Sequence, residues 1–331
     1  MLKILLFLYL SLTIAHAETW SEQTIVLMPS QAWEFSPGSP SGSVLQPSVL
    51  PRASCLIVAS PCLAMWYSGG WEKCATGYAE TTNLTGATGW TKYAANPIIG
   101  QGIQGFSIAC RAKTIVGPDG LYYVFFTSGI GASGTNLHLA ISPDGVSFSI
   151  IKQVLFPALS PSVNVPSNSY PFPVGRRWGL LYDDLVSGKW VTFLATATSL
   201  DSPFIVDGRG PVLSLQIPGG NTYGAQWVKV ISGVFHTWMI NSPTSAVIPT
   251  PFYHWCSSTP FSGWQRANGG SPVVSAIPSG YDQIGDPALV DGADVPSGVS
   301  QMYIDDDNNS TGHAVIALVT INATLSALSC P

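Results

Sequence analysis

Apolar residues in this chain alternate with small polar ones or run in blocks of four to eight, and the blocks stop at Gly, Pro, Asn or Asp. Strands buried on one or both faces give that pattern, whereas the 3.6-residue period of an amphipathic helix is nearly absent. The blocks also recur as a phrase. An aromatic-rich strand is followed by a Gly/Ser/Asn loop, a strand with a small residue and Ser or Thr, a turn, an aromatic residue and a Val/Ile pair. One copy holds Met65-Trp66-Tyr67-Ser68-Gly69, Tyr78-Ala79-Glu80-Thr81, Gly89-Trp90 and Ile98-Ile99. A second holds Tyr122-Tyr123-Val124-Phe125-Phe126, Leu137-His138-Leu139-Ala140-Ile141-Ser142, Phe148 and Val154-Leu155, and a third Phe235-His236-Thr237-Trp238, Tyr253-His254-Trp255-Cys256, Trp264 and Val273-Val274. Self-similarity at a long period marks a repeat architecture, and an all-strand repeat of this size reads as propeller blades.

Five such units fit the chain, which predicts an all-β, five-bladed β-propeller. Aligning the segment before each aromatic strand places the innermost strands at 44–50, 110–116, 177–183, 227–232 and 284–291. The third unit matches the phrase least well. A ring must close on itself, and a last strand at 320–325 is expected to pair with the first or last blade. Pro and Gly (26 and 33 residues) are spread through the chain rather than gathered into a linker, so one domain is expected over 18–331.

The first 17 residues stand apart. Met1-Leu2-Lys3, an apolar run over 4–14 and Ala15-His16-Ala17 have the order of a secretory signal peptide. The run is too short to span a bilayer comfortably, and no later one is longer. A secreted protein starting at Glu18, with no membrane span after cleavage, is the expectation. Six cysteines suit an oxidising compartment, and their spacings make neither a zinc ribbon nor a redox pair. Cys55 and Cys62 are close enough to bridge one hairpin. Charged residues are only 9% of the chain and the net charge is -5, which excludes a basic nucleic-acid footprint. Its 11 Trp and 12 Tyr can fill the wedges between sheets, and the remainder can offer flat apolar faces to sugar rings.

Gly285-Asp286-Pro287-Ala288-Leu289-Val290, Gln46-Pro47-Ser48-Val49-Leu50, Met65-Trp66-Tyr67-Ser68-Gly69 and Leu139-Ala140-Ile141-Ser142-Pro143-Asp144-Gly145 resemble the arabinanase-type five-bladed propeller glycosidases. That group includes β-xylosidases, arabinofuranosidases and invertases. The resemblance implies a carbohydrate partner in an axial funnel and hydrolysis of a glycosidic bond by paired carboxyl groups. It also implies an Asp at the start of the first inner strand, a second Asp and a Glu acid. This chain departs from that set. Gln46 stands at the first-blade Asp position, Arg111, Lys113, Arg177 and Trp178 occupy the next inner strands, and no Glu follows Glu80. Only Asp286 has the Asp-Pro context.

Inner strands begin at one face of a propeller, and the loops between second and third strands reach the same face. That assigns Gln46, Arg111, Arg177, Trp178, Trp227 and Asp286 to the mouth, with the loop residues Trp71, Glu72 and 305–307. Asp286 and Glu72 are the candidate catalytic carboxylates; Asp286 alternatively caps its own strand start. Gln46, Trp71, Arg111, Arg177, Trp178 and Trp227 are candidate sugar contacts, and the two arginines alternatively pair with Asp286 or Asp183. Asp305, Asp307 and Asn309 present oxygens at alternate positions, as calcium ligands do, but lack the Gly and terminal acid of an EF-hand. The alternative is a solvated turn, and no other cofactor is expected. His138, His254 and His313 sit in comparable strands that point away from one another in a ring, so no metal trio is expected. The absence of a Gly-x-Ser-x-Gly elbow argues against serine hydrolase chemistry. Asn83, Asn309 and Asn322 head glycosylation sequons. Two readings remain: a glycosidase, and a non-catalytic carbohydrate-binding or adhesion propeller.

Overall fold

The computed structural model describes residues 18–35, 41–70, 72–129, 136–154, 167–186, 189–213, 223–240, 251–308, 310–328 and 330–331. They build five antiparallel sheets of four strands each. The first contains β2 (Val44–Arg52), β3 (Cys62–Gly69), β4 (Ala75–Thr81) and β5 (Thr91–Lys92), and the second β6 (Cys110–Val116), β7 (Tyr122–Ser128), β8 (Asn136–Ser142) and β9 (Ile150–Gln153). The third contains β10 (Ser167–Val174), β11 (Arg177–Val186), β12 (Lys189–Ala197) and β13 (Ile205–Val206), and the fourth β14 (Tyr223–Ile231), β15 (Val234–Ile240), β16 (Phe252–Ser257) and β17 (Gln265–Arg266). The fifth runs β18 (Gln283–Val290), β19 (Ser300–Asn308), β20 (His313–Ile321), and its outermost strand is β1 (Thr24–Leu27). The inner strands β2, β6, β10, β14 and β18 touch in that order, and β18 returns to β2. The fold is a closed five-bladed propeller.

Two expectations are corrected. The third inner strand is Ser167–Val174, and Arg177 begins the second strand of that blade, directly after the turn that pairs Val174 with Arg177. Pro171 and Pro173 lie within this inner strand. An innermost strand is a sheet edge facing the axis, so it tolerates prolines that a central strand would not. Pro47 and Pro51 in β2 and Pro287 in β18 show the same licence. The ring is closed from the N-terminal side, by β1 pairing with β20, while the segment after Ile321 runs into a short 3-10 turn at Leu325–Ala327.

Aromatic residues fill the wedges between blades, as expected for sheets that diverge outward. Trp66 meets Tyr122 at 5.8 Å between the first two blades, Phe125 meets Phe204 at 6.1 Å, Phe172 meets Phe235 at 5.9 Å, and Trp90 meets Tyr303 at 5.8 Å across the closing seam. Three disulfides join Cys55 to Cys62, as the hairpin spacing suggested, Cys74 to Cys110, and Cys256 to Cys330.

The segment between β1 and β2 is fixed to the first blade by one buried carboxylate. Glu34 Oε1 accepts from Lys92 Nζ at 2.6 Å and from the Tyr67 hydroxyl at 2.9 Å, and Oε2 accepts the amide of Gln31 at 2.8 Å. Removing one member of a buried pair strands the other and costs about 3–5 kcal/mol. Glu34→Ala is therefore expected to lower the urea midpoint by that order of stability, with the circular dichroism of the folded state retained at low denaturant.

Candidate active site at the propeller mouth

The inner strands begin with a shared irregularity. Pairing with the second strand slips between Leu45 and Ser48, Cys110 and Lys113, Ser167 and Tyr170, and Gly285 and Ala288, with a further slip between Tyr223 and Trp227. Inside the first four slips stand Gln46, Arg111, Asn168 and Asp286, with φ of 56°, 58°, 46° and 39°. These are β-bulges whose key residue adopts the left-handed conformation without being glycine, at a cost of about 1–2 kcal/mol each. Such strain survives only where the surroundings impose it, and it collects at functional sites.

For Gln46 and Arg111 the surroundings are side chains of the preceding blade. The Gln46 amide donates to Asp305 Oδ1 at 3.3 Å, and the Arg111 amide donates to Ser68 Oγ at 2.9 Å. Asp305 pairs with Gly285 and Ser68 pairs with Leu45, so the two acceptors occupy the same position in consecutive blades. Asp183, opposite Ser167, occupies it in the third blade. There it accepts from Thr192 Oγ1 at 2.7 Å and Asn168 Nδ2 at 3.4 Å. Glycine at 285 is required by closeness, since a Cβ there would lie 2.7 Å from Asp305 Oδ2.

The bulged residues form the floor of the mouth. Gln46, Asn168 and Asp286 keep 9%, 7% and 8% of their surface exposed, and Gln46 Oε1, Asn168 Oδ1 and Asp286 Oδ1 meet no hydrogen-bond donor among the described residues. Lys113 lies fully buried beneath them. Its Nζ donates to the Pro47 carbonyl at 3.1 Å and stands 3.9 Å from Asp286 Oδ1. Burial pushes the Lys113 pKa down, against the pull of Asp286 and Asp305. The Arg111 guanidinium donates to Ser167 Oγ.

Behind this floor lie crowded acids. Burial raises Asp305 well above the usual carboxylate range, and the charges of Asp307 and Asp286 add to it. Burial raises Asp307 as well, tempered by a hydrogen bond from Gln283 Nε2 at 2.8 Å. Asp183 is pushed up to about 7 by burial, against hydrogen bonds from Thr192 and Asn168. Among the described residues, the floor thus offers the Asp286 carboxylate beside a lysine, two amides and a guanidinium, backed by buried acids raised above the usual carboxylate range.

The structure brings together Gln46, Arg111 and Asp286 of the residues singled out from sequence. Arg177 and Trp178 are removed from the mouth, because β11 starts at the opposite end of the blade. Trp227 is also removed: it is buried in the core between Tyr170 at 5.6 Å and Trp238 at 5.9 Å. Glu72 is exposed on the turn after β3, at the mouth end, and Trp71 lies outside the described residues. Asp305 and Asp307 belong to β19 and are buried, where a solvated turn was the alternative to calcium ligands. Asn309 lies outside the described residues. Among the described residues, the sets of three or more potential ligands close enough to share an ion lie elsewhere. His138 bonds Ser128, and His313 bonds the Gly42 carbonyl, so these two are not brought together with His254. Asn168 and the acceptor role of Asp183 were missed; the mistaken third inner strand concealed both.

No family model matches this chain, and no curated relative matches it by sequence. Solved structures do. The catalytic domain of a Coprinopsis cinerea GH62 α-L-arabinofuranosidase superposes with a TM-score of 0.64 at 14% identity, covering 92% of this chain and 97% of that one. An α-L-arabinofuranosidase of Podospora anserina in complex with cellotriose gives 0.66 at 12% identity, covering 93% and 98%. A family 117 glycoside hydrolase of the marine bacterium Zobellia galactanivorans gives 0.63 at 13%, covering 94% and 93%. The chain has the fold of the five-bladed propeller glycoside hydrolases. Identities this low carry the fold alone.

The raised acids set the direction of the pH dependence. An Asp with an ordinary value of 3.8 that stands at about 7 when folded binds more protons native than unfolded between those values, so it makes stability fall as pH rises through that window. Asp183→Asn keeps a hydrogen-bonding group but removes the titration. Relative to wild type, the variant is expected to gain on the order of 4 kcal/mol between about pH 4 and pH 8. Urea titrations of both proteins across that range check it, and parallel curves would refute it.

Proposed function

We propose that the protein binds a carbohydrate in the axial mouth of a glycoside hydrolase-like propeller. The observation that carries this reading is the floor built by Gln46, Asn168 and Asp286. It holds three acceptor oxygens that meet no donor among the described residues, in strained bulges, with the Arg111 guanidinium beside them. Buried acceptors need donors, and a ligand dense in hydroxyl groups supplies them. The neighbours in the solved structures are carbohydrate-active enzymes by their descriptions, which supports the same ligand class. The expected secretion agrees with three disulfides, which persist in oxidising compartments.

One observation favours hydrolysis as a second reading. Glycoside hydrolysis uses one ionised and one protonated carboxyl group, and environments that push such groups apart identify them. Asp286 is paired with Lys113, while Asp183 is held near 7 and Asp305 is raised further. Against it, Asp183 and Asp305 are 0% and 2% exposed and already serve backbone and side-chain donors of the fold.

Asp286→Asn separates the two. Under the binding reading, wild type releases no aryl alcohol from a panel of aryl glycosides but is retained on a glycan array, and the variant binds roughly tenfold weaker, the loss of about one charged hydrogen bond. Under hydrolysis, wild type turns over and the variant loses turnover while still binding. A wild type that neither binds glycans nor cleaves glycosides would overturn both.

A further inference from the structure

A second cluster lies in the fourth blade, away from the mouth. His236 on β15 is directly opposite Cys256 on β16, and His254 lies two residues before Cys256, so all three side chains share one face of the sheet. Cys330 reaches this face from the C-terminal segment and is bonded to Cys256. His254 Nε2 is 2.9 Å from His236 Nδ1 and 3.6 Å from Cys256 Sγ; His236 Nδ1 is 3.8 Å from Cys256 Sγ and 3.7 Å from Cys330 Sγ.

These separations are those of a tetrahedron. Zinc bonds of about 2.3 Å to sulfur and 2.0–2.1 Å to nitrogen place tetrahedral ligands about 3.6 Å apart for N···S, 3.3 Å for N···N and 3.8 Å for S···S. Three of the four nitrogen–sulfur edges are already within about 0.2 Å of these values, so the bonded sulfurs must part and the two imidazole nitrogens must open by about 0.4 Å. Ligands are also oriented from behind. Glu18 Oε2 accepts from His254 Nδ1 at 2.6 Å, which turns the lone pair of Nε2 toward the other three groups. The same carboxylate is fixed through Oε1 by the indole N–H groups of Trp20 at 2.8 Å and Trp238 at 3.0 Å. A carboxylate behind a ligating imidazole is the usual support of a zinc site. A groove lined by Val234, Cys256, Ser257, Gly263, Gln265 and Cys330 gives access from solvent.

We infer that reduction of the Cys256–Cys330 disulfide converts this cluster into a Cys2His2 site for a zinc-class divalent cation. A phosphine or a dithiol supplies the two electrons: with a phosphine and water, the disulfide becomes two thiols and the phosphine becomes its oxide. Binding one cation then releases the two thiol protons, and the imidazoles bind neutral. The oxidised chain closes the site by joining two of its ligands.

The test uses the full chain, a phosphine reductant and cobalt(II) or zinc alone. After reduction, one cobalt per chain is expected to bind, with thiolate-to-metal charge transfer and the intense visible bands of tetrahedral cobalt; the oxidised chain shows neither. X-ray absorption of the zinc-loaded wild type is expected to show two sulfur and two nitrogen neighbours. Glu18→Gln weakens affinity about 10–100-fold, His236→Ala abolishes the signal, and the double variant Cys55→Ser, Cys62→Ser leaves it intact. A first shell of four sulfurs or of oxygen and nitrogen only, binding unchanged in His236→Ala, or unfolding of the reduced chain with zinc present overturns the inference. None of these outcomes bears on carbohydrate binding at the mouth.

Discussion

The central constraint of this molecule is the backbone amide at the start of the first two inner strands. Blades converge at the axis, and a regular strand entering there would crowd its neighbours. A bulge turns the backbone aside, and its left-handed residue sends an N–H across to the preceding blade. Asp305 receives Gln46 and Ser68 receives Arg111, from equivalent positions one blade apart. The same bond does two things. It couples the fifth sheet to the first and the first to the second, and it fixes where Gln46 and Arg111 stand at the mouth.

That arrangement explains why the acids of the mouth differ in kind. Asp305 is an acceptor between blades and Asp183 one within its blade, both removed from water, and burial raises both above the ordinary carboxylate range. Asp286 occupies a bulge instead of an acceptor position and reaches the surface beside Lys113. Of the aspartates clustered at the floor, Asp286 is thereby the one that keeps a partly exposed side chain beside Lys113. Its neighbours Gln46 and Asn168 are amides, which bind hydroxyl groups and cannot ionise. A hydrogen-bonding floor follows from the same bulges that close the ring.

The likeness to propeller glycosidases over more than nine-tenths of the chain, at 12–14% identity, fits this division. A propeller requires small residues, wedge aromatics and bulges at regular intervals, and many sequences meet those demands. Four bulges of this chain hold Gln, Arg, Asn and Asp, so the bend itself does not demand one side chain. Fold and chemistry are thus specified by different positions. The fourth blade shows the same independence, since Glu18, His236, His254 and the Cys256–Cys330 pair form a polar cluster that the ring does not need for closure.

Sequence alone determined the strand content, the five units and the aromatic wedges, because each depends on local periodicity and on turn residues. It also placed Gln46, Arg111 and Asp286 at strand starts, since the phrase preceding each aromatic strand repeats there. The Cys55–Cys62 bridge was legible for the same reason, being confined to one hairpin. Tertiary structure decided the rest. The third inner strand, whose Pro171 and Pro173 are tolerated at an edge facing the axis, lies ahead of the segment that the repeat pointed to, and with it go Asn168 and the true positions of Arg177 and Trp178. The run of aspartates at 305–307 reads as a solvated turn until β18 and β2 bury it. His254 meets Glu18 and His236 meets Cys330 across separations of 236 and 94 residues, and no local pattern records contacts that only the tertiary fold creates.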